Sequence, residues 1–545
     1  PVEAPVAGVL ADGRPLPFRW ADGELCFVAA ELPAKGWRHY RFAGCASAPV
    51  PFAQVSEDGR RITTPFYEAE LDACGAFTRL YDTAAQREVL KPGARGNVFQ
   101  MFEDRPDNYD AWNLEQYYSE HMWELDGPAE LSVEENSAVR CCVLVKRAFS
   151  RSAMEQRIVF YPHTRRIDFI THVDWHEEHA LLKAAFPVDV YATRARYDIQ
   201  FGSIERDTHR NTSWDAARFE VCAHKWADLS EAGYGVALLN DCKYGCDIHD
   251  GVMRLSLLRA PTHPNPNADR GAHTFTYALL PHEGDYRTGG VVREGYALNC
   301  PAYARPLAAQ DGPLPESYSF VSVDAPGVVV EAVKRAEDGN GIIVRLYEAW
   351  GMRTRAVLSV PGSTRAVTPC TAMEDACGEA AVPENGGIPF QIRPFEFKTF
   401  RIELAVFFCS AARHALGLPF TAPQKTALSN GNNLPLYYIA PRRQSGAAEL
   451  EKSMEGRCFS PNRAKAGRRE NKFSQNPTFA FMHNILLSYL GKPLHFFPSS
   501  CLFTVDNAKN AIEQHQNKQN SSRACGAENA ILKPQKWGPP AVNLW

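Results

Sequence analysis

The feature that most constrains this chain is a succession of short β-rich segments, each closed by turn residues, running from the first residue to about residue 405. In Ile167–Trp175 odd positions are mostly apolar and even positions mostly polar, the period of a half-buried strand. Arg166–Trp175, Val252–Leu258 and Thr274–Leu280 are rich in β-branched and aromatic residues, and Gly, Pro, Asn and Asp separate such runs. Val328–Val333 and Ile342–Leu346 flank Asp338-Gly339-Asn340-Gly341, a hairpin whose Asn-Gly pair supplies the positive-φ residues of the turn. Helical patterns are few, and Ala111–Glu120 and Glu177–Ala184 are the expected short helices. The predicted fold class is all-β, built of stacked sheets.

At 545 residues several domains are expected. Residues 1–45 read as a small β-layer and 46–305 as a large set of strands. A Pro-rich bridge, Pro301 through Pro315, leads into a terminal sandwich within 306–405, which closes on an edge-like strand, Pro394–Ile402. Residues 406–545 differ: Asn, Gln, Ser and Lys are common, Phe479–Leu490 alone reads as a helix, and Lys+Arg number 17 against 7 Asp+Glu. That net charge of +10 opposes −14 for the rest, so the tail is expected to be irregular, disordered or non-native, outside the functional fold.

The acidic body argues against a nucleic-acid partner, and no apolar stretch approaches the length of a membrane span. Fifteen cysteines without a CxxC pair or repeated spacing fit reduced, mostly buried thiols in a cytoplasmic protein better than a disulfide or zinc framework. Asn211-Thr-Ser is a formal glycosylation acceptor that carries little weight without a leader. The Pro start with no basic-then-apolar leader points to a fragment or processed product.

The most distinctive wording is His224-Lys-Trp-Ala-Asp-Leu-Ser-Glu231, followed by Gly233 through Gly245. It reads as a polar, aromatic loop feeding a buried strand, Val236–Leu239, that ends on a turn with Asn240, Asp241, Lys243 and Tyr244. Aromatic rings beside carboxylate and amide groups suit a sugar: the rings stack on its faces while the polar groups bond its hydroxyls. This wording resembles the non-catalytic half of glycoside hydrolase family 38, the class II α-mannosidases. Phe99–Trp112, Leu182–Val190, Arg254–Pro261, Pro264–Asp269 with His273–Leu279, and the terminal hairpin and closing strand resemble it too, in order, over nearly all of 1–405. Tyr109 and Asn113 stand where the family commonly has Trp and Asp.

The resemblance implies a galactose-mutarotase-like β super-sandwich followed by a smaller β-sandwich. It also implies a retaining α-mannosidase whose N-terminal α/β barrel holds a divalent metal, zinc or cobalt, together with an Asp nucleophile and an acid/base carboxylate. The barrel's motifs have no counterpart here, so no catalytic or metal-binding residue is expected in this chain. The expected partners are the barrel of the same protein and an α-mannoside or oligosaccharide, and homo-oligomerisation stays open. A free-standing carbohydrate-binding sandwich is the rival reading.

Retaining hydrolysis needs two carboxyl groups about 5–5.5 Å apart, yet Glu103, Asp104, Asp107 and Asp110 surround Pro106 and Asn108, the wording of a loop. His172 and His176, on one strand face, would sit about 13 Å apart, too far for one ion; with His179 they read as surface or satisfied histidines. His224, Trp226, Asp228, Asp241, Lys243, Tyr244, Arg259, Asp104, Asp110 and Trp112 are the candidates for a cleft edge. Their alternative role is to seal a domain interface, with Trp226 as buried anchor and Asp228 paired to Lys243 or Arg259.

Overall fold

The computed structural model describes residues 8–405, apart from 22, 30, 44–49, 306, 308–311 and 313. The tail reading for 406–545, including the helix at Phe479–Leu490, lies outside the described residues. Within them nearly all the regular secondary structure is strand, as the alternation demands. Two large sheets form a super-sandwich. One has nine strands, in the order Glu130–Asn136, Cys141–Phe149, Ser152–Phe160, Ile167–Trp175, Gly271–Glu283, Tyr234–Asn240, Trp226–Ser230, Arg194–Ile199 and Gly202–Asp207. The other has six: Met122–Glu124, Val98–Glu103, Ala180–Pro187, Val252–Arg259, Gly245–His249 and Val221–Cys222. Their inner faces share one continuous core in which Phe77, Phe169, Phe186 and Tyr277 pack ring against ring. Each burial of such a side chain is worth about 1.5–3 kcal/mol.

The smaller sandwich packs a four-stranded sheet, with Phe397–Leu404 between Ile342–Glu348 and Thr364–Cys370, against a three-stranded one around Thr354–Ser359. Val344, Leu346, Leu358, Ile388, Phe400 and Ile402 fill it. The closing strand, expected at an edge, is therefore central: Phe400 and Ile402 are buried and both of its sides are paired. In the 338–341 turn the positive φ angles belong to Gly339 (77°) and Gly341 (95°), not to Asn340. Gly36–Arg38 pairs with Ser317–Ser319, tying the first layer to the start of the terminal sandwich.

Both expected helices need correction. Only Gln116–Glu120 of the first is helical, as a 3-10 turn, and the second is the strand Ala180–Pro187, whose run of small and apolar residues is buried on both faces of the sheet. A buried strand of this kind lacks alternation and cannot be told from a helix by period alone. Among the described residues the longest helix is Val291–Asn299, where Val291, Val292 and Gly295 turn inward. Half of the ten described cysteines are buried, fewer than expected, and all ten are free.

Candidate functional site

Register places most candidates at one end of the super-sandwich. Trp175 pairs with Gly271, Ala180 with Glu103, Leu181 with Arg259, and Asn240 with Tyr277. Consequently four connections emerge together: 104–121, 176–179, 241–244 and 260–270. Three of them carry the chain from one sheet to the other, so side chains from both sheets converge there.

The 104–113 loop stands on a buried ion pair. Asp104, 1% exposed, accepts from Arg259 Nε at 2.7 Å, while Arg259 Nη2 lies 2.6 Å from the same oxygen and donates to the Asn113 carbonyl at 2.8 Å. Burial pushes the Asp104 carboxyl above the usual range, and the Arg259 guanidinium offsets part of that rise. Burial acts the same way on Asp110. Here the Thr262 and His263 amides, donating to Oδ2 at 2.6 and 3.0 Å, outweigh it and hold the carboxyl below its ordinary value. So propped, the loop presents Tyr109 and Trp112, 70% and 55% exposed, with Tyr109 in the left-handed region at φ 59°. A non-glycine residue there is strained and persists because its surroundings fix it. Tyr117, Met122 and Trp123 extend the exposed apolar rim.

On the neighbouring turn Asp241 Oδ2 accepts from the Thr276 amide at 3.0 Å. The Lys243 ammonium lies 4.6 Å over the Phe275 ring, while its backbone amide donates to Asn240 Oδ1 at 2.9 Å and so closes the turn. Burial lowers its pKa from the ordinary lysine value. Tyr244, half exposed, stacks on His224 with ring centroids 5.1 Å apart.

Trp226 and Asp228 do not belong to this end. The segment expected as a loop is the strand Trp226–Ser230, and both side chains turn to the outer face of the nine-stranded sheet, 1% and 3% exposed. Trp226 stacks on Tyr286 at 5.4 Å in the cluster beneath Val291–Asn299 and Tyr347, so it anchors the terminal sandwich as an interface residue. Asp228 pairs with His282 Nε2 at 2.8 Å and accepts from Ser230, not with Lys243 or Arg259. Neither can touch a ligand at the crossover end.

Four buried polar atoms at this end make no hydrogen bond: Asp104 Oδ1, Asp110 Oδ1, Asp241 Oδ1 and His179 Nδ1, of which the second and fourth lie 3.7 Å apart as a loose ion pair. Each such atom costs about 1–3 kcal/mol unless something beyond the described residues satisfies it. His179 is half-buried, with Nε2 3.2 Å from Thr262 Oγ1 and Nδ1 facing Asp110 Oδ1 at 3.7 Å, so only its Nδ1 departs from the satisfied histidine expected. Its position between a strand end and an apolar run was the available signal. His172 and His176 are exposed and bonded to Thr274 and Asp174 as expected.

The acidic cluster does not form a nucleophile and acid pair. Asp104 is locked to Arg259, Asp110 to two amides, and Glu103 to Arg105 at 2.7 Å. Nor do these residues fit a divalent metal. Among the described residues the only three ligand atoms brought together are those of Asp207, His209 and Asp215, at the opposite end of the sandwich, where Arg194 and Arg218 already engage the two carboxylates.

Comparison with known proteins accords with this architecture. Residues 62–267 match the family described as glycosyl hydrolases family 38 C-terminal domain, and 327–400 match its C-terminal beta sandwich domain. Alpha-mannosidase 2C1 of Homo sapiens is 39% identical over 345 residues, covering 62% of this chain and 33% of that protein. Alpha-mannosidase G of Dictyostelium discoideum is 37% identical over 62% of this chain and 32% of its own length. The chain therefore spans about a third of the curated relatives it matches. A solved glycosyl hydrolase family 38 protein from Enterococcus faecalis shares the fold, with a TM-score of 0.59 at 16% identity over 74% of this chain and 53% of that one.

Proposed function

This chain carries the C-terminal β domains of glycoside hydrolase family 38, and from that premise we propose that it completes an α-mannosidase by docking its crossover end on the catalytic barrel. In this reading the barrel supplies the nucleophile, the acid/base group and the divalent metal for retaining hydrolysis of terminal α-mannosides, and this chain supplies part of the cleft wall. The observation that carries it is the convergence, at one end, of four buried polar atoms that make no hydrogen bond and the exposed Tyr109 and Trp112. Unsatisfied polar atoms and an apolar rim together are costly on a free surface and suit a face covered by another domain. Arg259 and Asp110 act as positioning residues, holding the loop that makes contact.

The free cysteines and the absence, among the described residues, of any helix long and apolar enough to cross a membrane are compatible with a cytoplasmic enzyme. The test is hydrolysis of an aryl α-mannoside with zinc or cobalt added. The chain by itself is expected to be silent and to contribute to turnover when joined to a family 38 barrel. Metal-dependent turnover by the chain alone would place the chemistry here and overturn the reading.

A further inference from the structure

The terminal sandwich carries a groove of about 550 Å³, within the size range of small-molecule sites. It is lined by Arg353, Arg355, Gln391, Arg393, Glu396 and Lys398 among others. We propose that this groove binds a small ligand of the diphosphate class. The inference is independent of the docking reading above, because the groove lies on the smaller sandwich and not at the crossover end.

Register assembles the basic patch. Thr354 pairs with Ile392 and Arg355 with Gln391, and the same alignment carried one residue further sets Arg353 beside Arg393. Leu358, Ile388 and Ile392 face the core. Side chains alternate across a strand, so Arg353, Arg355, Gln391 and Arg393 share the outer face. Like charges opposite each other on paired strands repel, and an anion between Arg353 and Arg393 would remove that repulsion.

The walls are held by one buried carboxylate. Glu348, 0% exposed, accepts from the Trp350, Gly351 and Met352 amides at 2.9, 2.7 and 3.0 Å, and from the Phe395 amide at 3.2 Å. It ties the segment that leads into Arg353 to the turn that follows Arg393. The groove is therefore shaped before a ligand arrives, which lowers the ordering cost of binding.

Charge decides the class of ligand. Three guanidinium groups and one ammonium share the groove with a single carboxylate. That carboxylate, Glu396, is already engaged by Arg393 Nη2 and Lys398 Nζ, each at 3.4 Å. The guanidinium groups of Arg353 and Arg355 make no hydrogen bond or ion pair with any described residue. Such forks match phosphate oxygens in bidentate geometry, and several together suit more than one phosphate. Extended polyanions fit less well. Residues 1–405 hold 42 Lys+Arg against 56 Asp+Glu, a net of −14 that opposes the approach of a nucleic acid or an anionic membrane. A small ligand inside the groove meets mainly the charges within a screening length of about 8–10 Å.

The experiment is calorimetric titration of the full chain with inorganic pyrophosphate at low ionic strength, with sulfate as the comparison anion. It is repeated on Arg353→Gln, on Arg355→Gln and, as a control outside the groove, on Arg365→Gln. Saturable binding is expected, tighter for pyrophosphate than for sulfate and weaker as salt rises. It should fall at least about tenfold in either groove variant, the worth of one charge-assisted bond, and persist in Arg365→Gln. Arg353 and Arg355 are exposed, so unchanged thermal unfolding shows that the variants are folded. No saturable binding by the parent chain, undiminished binding by either groove variant, or sulfate binding as tightly as pyrophosphate overturns the proposal. So does co-flotation with phosphatidylserine vesicles that the same variants abolish while free pyrophosphate gives no signal.

Discussion

Replacing Arg259 by Met probes the support of the crossover end most sharply. The variant keeps the length of the side chain and removes the guanidinium that faces Asp104 and the Asn113 carbonyl. Asp104 is 1% exposed, so it would be left as an uncompensated buried charge, at a cost of about 3–5 kcal/mol near neutral pH. The pH dependence follows from linkage. Burial already raises the Asp104 carboxyl, and without Arg259 it rises further. A group whose folded pKa is raised gives its stabilisation below its unfolded pKa and loses it as pH rises through the folded value. The deficit of Arg259→Met is therefore largest at neutral pH and shrinks as the pH falls and Asp104 takes up a proton. Urea unfolding across that range, with hydrogen exchange of peptides from 104–115 and 176–182, measures both effects. Combining it with Asp104→Asn should recover about 1–3 kcal/mol, the coupling of two residues in contact. A loss below about 1 kcal/mol that does not change with pH would match a solvated pair and refute the idea that this pair holds the loop.

Three further outcomes follow from the same structure. Trp226→Ala should cost about 3–5 kcal/mol and speed hydrogen exchange in Val291–Asn299, because the indole fills the space beneath that helix. Lys183→Met should destabilise by a similar 3–5 kcal/mol, since fully buried Lys183 neutralises Asp247, at 2.7 Å, and Glu220; calorimetric unfolding reads the loss. Gly235→Ala should cost about 1–3 kcal/mol by overpacking, because its Cβ would lie 2.2 Å from Ser230 Oγ and 2.5 Å from the His282 ring that bonds Asp228, which denaturation and the His282 NMR signals would report.

The sheets were legible because their alternation is local. Ile167–Trp175 shows its buried and exposed faces in nine residues, and the 328–348 hairpin announces its own turn. The misassignment of Ala180–Pro187 has a physical cause: a strand covered on both faces carries no period. Trp226 is the buried anchor of the interface reading, but its placement on a loop was wrong for a related reason. A Trp amid charges reads as a loop, yet Lys225 and Asp228 find Asp198 and His282 as partners that lie far away in sequence. The pairing of Asp104 with Arg259 spans 155 positions, and nothing in either segment specifies it. Both acids and the arginine were visible as candidates, whereas their mutual geometry is a property of the two sheets closing on each other.

The central claim is that the end formed by 104–121, 176–179, 241–244 and 260–270 is a covered face in the working enzyme. Hydroxyl-radical footprinting of this chain, free and joined to a family 38 catalytic barrel, tests it most directly. Protection is predicted at Tyr109, Trp112 and Tyr244, with Trp214 unchanged as the exposed control. Protection confined to other surfaces, or equal labelling of the three residues in both states, would contradict it.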